Sequence, residues 1–214
     1  MKLQETKYYH IHHRGVKGDN IFYQDSDYQR FLEKYFYYLY IAADTYAYCL
    51  IPNHFHVLLR VRPEEEQLEL FSKCQKKMIG SQDFTPAHHN IDYPDFKNYC
   101  ASNQIGHFLN SYTRYFNTAS ERTGIIFDGR FKRIEIDSIK YLSHLICYIH
   151  RNPIHHHLCR DYSSYKYSSY NSLFSDKKTL LNKAEILRFL GGEDNAAAAH
   201  EEVRMDYISK YILE

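Results

Sequence analysis

Two hydrophobic rhythms run along the chain, one of period two and one near 3.6, and the switches between them mark its elements. Residues 7–13 alternate and are rich in β-formers until Arg14-Gly15 interrupts them, which predicts a first strand and a turn. Residues 25–43 place Phe31, Leu32, Tyr35 and Leu39 at helical spacing, with Ser26 or Asp27 as the expected cap. Residues 45–51 and 54–61 read as strands joined by Pro52-Asn53, an antiparallel hairpin.

The chain then turns polar and irregular over about 62–104, read as an insertion with a helix at 65–78 and a loop carrying Pro86, His88, His89 and Pro94. Helical spacing returns at 104–118 (Ile105, Phe108, Leu109, Tyr112, Tyr115, Phe116), and 134–137 reads as a short strand. Asp137 or Ser138 caps a helix that runs through Tyr141, Leu142, Leu145, Ile146, Tyr148 and Ile149 and stops at Asn152-Pro153. Residues 162–170 form a Ser/Tyr-rich loop, 182–190 a capped helix ended by Gly191-Gly192, and 195–212 a last helix. This order predicts an α+β domain over residues 1–175, an antiparallel sheet of four or five strands with helices on its faces, followed by a helical appendage at 176–214.

Composition narrows the function classes. The 214 residues are 44% hydrophobic and 25% charged with a formal net charge of +1, which excludes a disordered or uniformly basic chain and leaves room for a local basic face. Acids gather at Glu64, Glu65, Glu66 and Glu69 and again at Glu193, Asp194, Glu201 and Glu202, while the stretch from Arg114 to Arg133 is cationic. Five cysteines without a CxxC pair fit neither a disulfide framework nor a cysteine zinc site, so a cytoplasmic protein is expected. No apolar run is long enough to suggest a membrane span.

The sharpest local feature is Pro52-Asn53-His54-Phe55-His56-Val57-Leu58-Leu59. On a strand His54 and His56 share one face while Phe55 enters the opposite layer, and two adjacent imidazoles suit a divalent metal. The bland alternative is a solvated strand face. The second feature is Tyr148-Ile149-His150-Arg151-Asn152-Pro153, where Tyr148 and Asn152 lie one helical turn apart on one face and the Asn152 amide oxygen offers a third ligand to a hard ion. Tyr112, Tyr115 and Tyr141 lack a side-chain amide four residues later and are read as packing. The run His155-His156-His157 is read as exposed, its neighbours pointing in different directions. His10, His12 and His13 lie on a strand expected beside the histidine pair; ordinary β positions are the leading expectation, an outer partner to the pair the alternative.

With these motifs the chain resembles the single-tyrosine transposases of the HUH endonuclease superfamily, in the branch associated with repetitive extragenic palindromes. The resemblance runs through Tyr9-His10-Ile11-His12-His13-Arg14-Gly15, Ile21-Phe22, Asp27-Tyr28, Phe31-Leu32 and, most strongly, Ala47-Tyr48-Cys49-Leu50-Ile51-Pro52-Asn53-His54-Phe55-His56-Val57-Leu58-Leu59. It continues in Ser111-Tyr112-Thr113-Arg114-Tyr115-Phe116-Asn117, Phe127-Asp128-Gly129-Arg130-Phe131-Lys132, Tyr148-Ile149-His150-Arg151-Asn152-Pro153, Tyr167-Ser168-Ser169-Tyr170 and Phe189-Leu190-Gly191-Gly192. Departures are the longer segment at 64–103 and Ile154-His155 in place of the commoner Val-Arg.

The resemblance implies a ferredoxin-like sheet, Mg²⁺ or Mn²⁺ held by His54, His56 and Asn152, and Tyr148 as a nucleophile that leaves a 5′-phosphotyrosine and a free 3′-hydroxyl. It further implies single-stranded or hairpin DNA as partner, a monomer or homodimer, and a nucleoid-associated place in the cytoplasm. Arg14, Arg114, Arg130, Lys132 and Arg133 are the candidates to hold the DNA backbone, each weighed against a solvated or salt-bridged surface role. Two rival readings remain: a non-catalytic hairpin-binding descendant, and a zinc hydrolase that would need a third strong ligand and a general base.

Overall fold

The computed structural model describes residues 2–77 and 100–202, with the side chains of 74–77 also outside the description. The predicted loop with Pro86, His88, His89 and Pro94 therefore lies outside the described residues, as does the predicted last helix from residue 203 onward. The elements run β1 (Tyr8–Arg14), α1 (Asp25–Leu39), β2 (Ala43–Ile51), β3 (His54–Val61), α2 (Glu64–Lys77), α3 (Ala101–Ala119), β4 (Lys132–Ile136), α4 (Ile139–His155), α5 (Tyr170–Leu173), α6 (Lys183–Phe189) and α7 (Glu193–Glu201). The sheet order β2-β3-β1-β4, with β1 antiparallel to β4, and the succession β1-α1-β2-β3-α3-β4 give the ferredoxin-like topology, with four strands.

The chain forms two compact units, each drawn from separate stretches of sequence. The first comprises residues 1–7, 24–44 and 60–125 and is built on α1 against α3. Phe31 meets Phe108 and Tyr112 edge-on at 4.8 and 5.0 Å between ring centroids, and Tyr35 meets Phe108 at 5.7 Å. These buried rings are the apolar stripes read from the sequence, each side chain contributing about 2 kcal/mol through burial. Two boundaries differ from the expectation. Gln24 rather than Ser26 or Asp27 is the cap of α1, and Asp27, three residues on, accepts a 3.1 Å hydrogen bond from the Gln24 amide. The helix ends at Leu39, short of Ala43, because the carbonyls of Tyr40 and Ile41 accept from the Arg62 guanidinium, itself forked onto Asp44. That arginine satisfies carbonyls which a longer helix would have paired internally.

The second unit comprises residues 8–23, 45–59 and 126–214 and holds most of the sheet. One face of the sheet, through Tyr46, Ile51, Leu58 and Ile136, shares a core with Leu142, Leu145, Ile146 and Ile149 of α4. Leu181, Ile186, Leu190 and Ala196 enter the same core, so the segment expected as an appendage is packed into it as far as described. The Ser/Tyr-rich segment lines the outer edge of β2: the Leu50 amide donates to the Tyr167 carbonyl at 3.0 Å and the Ser169 amide to the Tyr48 carbonyl at 2.9 Å.

Proline 153 does not stop α4. Only the hydrogen bond its missing N–H would have made is lost, while the His156 amide still reaches the Asn152 carbonyl at 2.9 Å. The helix ends two residues later: His157 takes φ +57°, its amide donates to the Ile154 carbonyl, and the Leu158 amide reaches back to the Pro153 carbonyl at 2.8 Å. This paired closure is the Schellman arrangement.

Candidate functional site

The site is built within the second unit, on β3 and α4. The turn that launches β3 is braced from one side by backbone alone. The Pro52 carbonyl accepts from the amides of Ile21 and Phe22 at 2.7 and 3.0 Å, and the Asn53 carbonyl from the Gly15 amide at 2.8 Å. Gly15 is required there, because a Cβ would lie 2.0 Å from the Asp19 carbonyl oxygen. The brace fixes where His54 and His56 begin.

On β3, an inner strand, His54 and His56 share a face while Phe55 is buried on the other, as the period of two dictates. Their rings meet edge-on with centroids 5.0 Å apart. From α4, Tyr148 stands edge-on to His56 at 6.0 Å and 87°. Asn152, one turn further on, faces His54, and its Nδ2 donates to the Tyr148 carbonyl at 3.1 Å. Tyr148, Asn152 and His156 follow at intervals of four on one helix face, and His156 closes against His54 at 4.9 Å. The sequence places His156 in a run expected to be exposed. Carrying α4 past Pro153 turns it inward and leaves His155 and His157 exposed.

The neighbouring strand supplies what the sequence left open. His10 Nε2 and His56 Nδ1 are 2.9 Å apart in a buried hydrogen bond, and His12 stacks on both rings at 5.1 and 5.6 Å. His10 is thus the outer partner of the pair. The alternation of histidines at 10 and 12, on a strand expected beside the pair, was its sequence signal; which of those rings meets His56 was not readable from it.

Burial dominates the electrostatics. It pushes His54 down to about 3, with the His156 and His12 rings adding to the effect and the Asn152 amide opposing it. Burial likewise lowers His10 to about 3, helped by His12, and holds His56 well below the ordinary imidazole range. The rings are neutral and carry lone pairs. His54 Nδ1 donates to Asn53 Oδ1 at 2.8 Å, which leaves its Nε2 as the lone-pair nitrogen. His56 Nε2 and Asn152 Oδ1 are buried without a hydrogen-bond partner among the described residues. Two imidazole nitrogens and an amide oxygen left in this way fit a divalent cation. Among the described residues no group of three His, Cys, Asp or Glu side chains is arranged to hold a metal.

The basic candidates separate. Lys132 lies opposite His12 in the β1–β4 register and shares the face of His10 and His12, whereas Arg133, one residue on, takes the other face and stands over Phe131 at 5.6 Å. Arg14 is exposed and 3.7 Å from Asp128, and Arg130 is exposed on the loop before β4. Arg114 belongs to the first unit, on α3.

No family model and no curated protein matches the sequence. Among solved structures, a REP-associated tyrosine transposase bound to a REP hairpin is similar at a TM-score of 0.52 and 15% identity, over 82% of this chain and 83% of that one. The α+β fold predicted here is accordingly the fold of that transposase.

Proposed function

We propose that the chain is a metal-dependent single-stranded DNA endonuclease and transposase that cleaves and rejoins DNA through a 5′-phosphotyrosine on Tyr148. The observation that carries this reading is the convergence of Tyr148 and Asn152, one turn apart on α4, with His54 and His56, two apart on β3. The likeness to a hairpin-bound transposase supports DNA, single-stranded or hairpin, as the partner. Among the described residues no helix is long and apolar enough to cross a membrane.

A phenol with an unperturbed pKa of about 10 is a weak nucleophile at neutral pH, so charge on the attacked phosphate must be offset. Mg²⁺ or Mn²⁺ held by His54, His56 and Asn152 would polarise that phosphate. The Tyr148 oxygen bonds to phosphorus as its proton leaves, the bond to the 3′-oxygen breaks, and that oxygen departs as a hydroxyl. The phosphodiester count is unchanged, so another 3′-hydroxyl can reverse the step and join a new strand.

A second reading, a non-catalytic hairpin-binding protein, is favoured by one observation: Tyr148 as a whole is only 4% exposed, which is little surface for a residue that must meet a phosphodiester. One experiment separates the two. The protein is incubated with labelled hairpin and single-stranded oligonucleotides and Mn²⁺, then denatured. A denaturation-resistant adduct that disappears in Tyr148→Phe while hairpin binding persists is the expected result. Binding without any adduct in the unsubstituted protein would leave the non-catalytic reading in its place.

A further inference from the structure

The first unit carries a feature that the Tyr148 site does not use. On α1, Arg30, Lys34 and Tyr38 recur at intervals of four, a stripe along one face that is about 12 Å long. On α3, His107, Ser111 and Arg114 form the facing stripe. The two helices are joined across it by Lys34 Nζ, which donates to Ser111 Oγ at 2.8 Å. Open grooves of about 450 and 490 Å³ lie along this seam, and Arg114 lines both.

The charges here are poorly compensated. Lys34 donates to a neutral hydroxyl, and its pKa is lowered by partial burial first and then by Arg30 and Arg114, with Glu33 opposing. Arg114 is exposed and makes no ion pair among the described residues. Arg30 pairs with Glu33 at 2.8 Å, both groups more than half exposed, a bond that competing anions readily displace. Three like charges crowded about a groove cost free energy that an anion would recover. Asp27, also at the seam, is buried and accepts hydrogen bonds from the Gln24 backbone amide and the Tyr115 hydroxyl among others.

Aromatic rings flank the cations. Tyr38 stacks on His107 at one end with centroids 6.5 Å apart, and Arg30 stands over the Tyr115 ring at 5.7 Å toward the other. Cations that track a backbone, with aromatic faces beside them, are the combination by which proteins hold single strands irrespective of sequence.

We infer that the α1–α3 seam is a second nucleic-acid contact, which takes the phosphodiester backbone of single-stranded DNA on Arg30, Lys34 and Arg114. It rests on the reading of the chain as a DNA-binding protein and adds to it a surface outside the Tyr148 site. Sequence-independent phosphate contacts reveal themselves in salt dependence.

The test is equilibrium binding of a labelled single-stranded oligonucleotide to the whole protein over a range of salt. Arg114→Ala, an exposed substitution, is expected to weaken binding to all sequences alike and to reduce the slope of log Kd against log salt by about 1, and Arg114→Glu to weaken it further. Lys34→Gln, which keeps a donor for Ser111, is expected to act in the same direction. Unchanged affinity and slope in the Arg114 variants would overturn the inference, whether or not the unsubstituted protein forms its Tyr148 adduct. Loss of binding to vesicles containing phosphatidylserine, with oligonucleotide binding intact, would overturn it too and assign the seam to a lipid surface. An unsubstituted protein that forms no adduct yet loses salt-sensitive binding on Arg114→Ala would remove the cleavage reading and support the seam.

Discussion

His10 Nε2 and His56 Nδ1 share a single hydrogen across 2.9 Å inside the protein. If His10 donates it, the hydrogen of His56 sits on Nε2 and points at the site. If His56 donates it, Nε2 offers a lone pair, and the hydrogen of His10 moves to Nδ1, which has no acceptor among the described residues. A cation on His56 therefore selects the second tautomer, and the cost falls on His10. The oxygen- and nitrogen-bearing partners behind a ligand set its basicity and its orientation in this way.

His10→Phe keeps a ring in the strand but removes the acceptor behind His56, and is expected to lower Mn²⁺ affinity by about 10- to 100-fold. His10→Gln, whose amide oxygen can accept, is expected to restore part of it. Calorimetric titration of each variant with Mn²⁺ measures this directly. Equal affinities in the Phe variant and the unsubstituted protein would reduce His10 to packing.

Buried histidines make stability depend on pH, and His13 and His200 are two of them that lie outside the Tyr148 site. Burial, aided by His12 and opposed by Asp128, lowers His13 to about 4, and burial lowers His200 against the Ala196 carbonyl and Glu201. Below an unfolded value of about 6.5, the unfolded chain binds protons that the folded one refuses, so stability rises with pH in that window. The contribution is fully present above about 6.5 and is lost as pH falls toward the folded value. Thermal midpoints are expected to be level above neutrality and to fall between about pH 6.5 and 4. His13→Phe, which keeps the stack 4.8 Å from Phe127, should flatten part of that fall. A slope identical in the variant would exclude His13 as a source.

His157 closes α4 with φ +57°, a conformation that costs a residue with a Cβ roughly 1–2 kcal/mol. The side chain is exposed. Glycine relieves the strain but gives part of the gain back as unfolded-chain entropy, so His157→Gly is expected to stabilise by about 0.5–1 kcal/mol. A denaturant midpoint that moves downward would show that the imidazole makes a contact worth more than the strain.

Local periodicity carried a good deal of the fold. The pair His54 and His56 faces one way because strands repeat every two residues, and Tyr148 and Asn152 face one way because helices repeat near every four, whatever surrounds them. The apolar stripes of α1 and α3 follow from the same rule, while the glycine pair after α6 is legible because Gly191 takes the positive φ of +85° that ends a helix. The boundaries moved for different reasons, one distant in the chain and one local. Arg62 ended α1 early, and the acceptors left around Pro153 let α4 run on to bring His156 inward.

Which side chain meets which was decided only in three dimensions. His10 meets His56 across 46 residues and Lys34 meets Ser111 across 77, partnerships that depend on strand order and helix pairing. No periodicity encodes them, since a repeat fixes the direction a side chain takes from its own backbone and leaves open the surface it meets. The sequence alone thus determined the faces and the residues on them, from the geometry of each element. The tertiary structure determined which faces close on one another, because that choice belongs to the burial of the whole core.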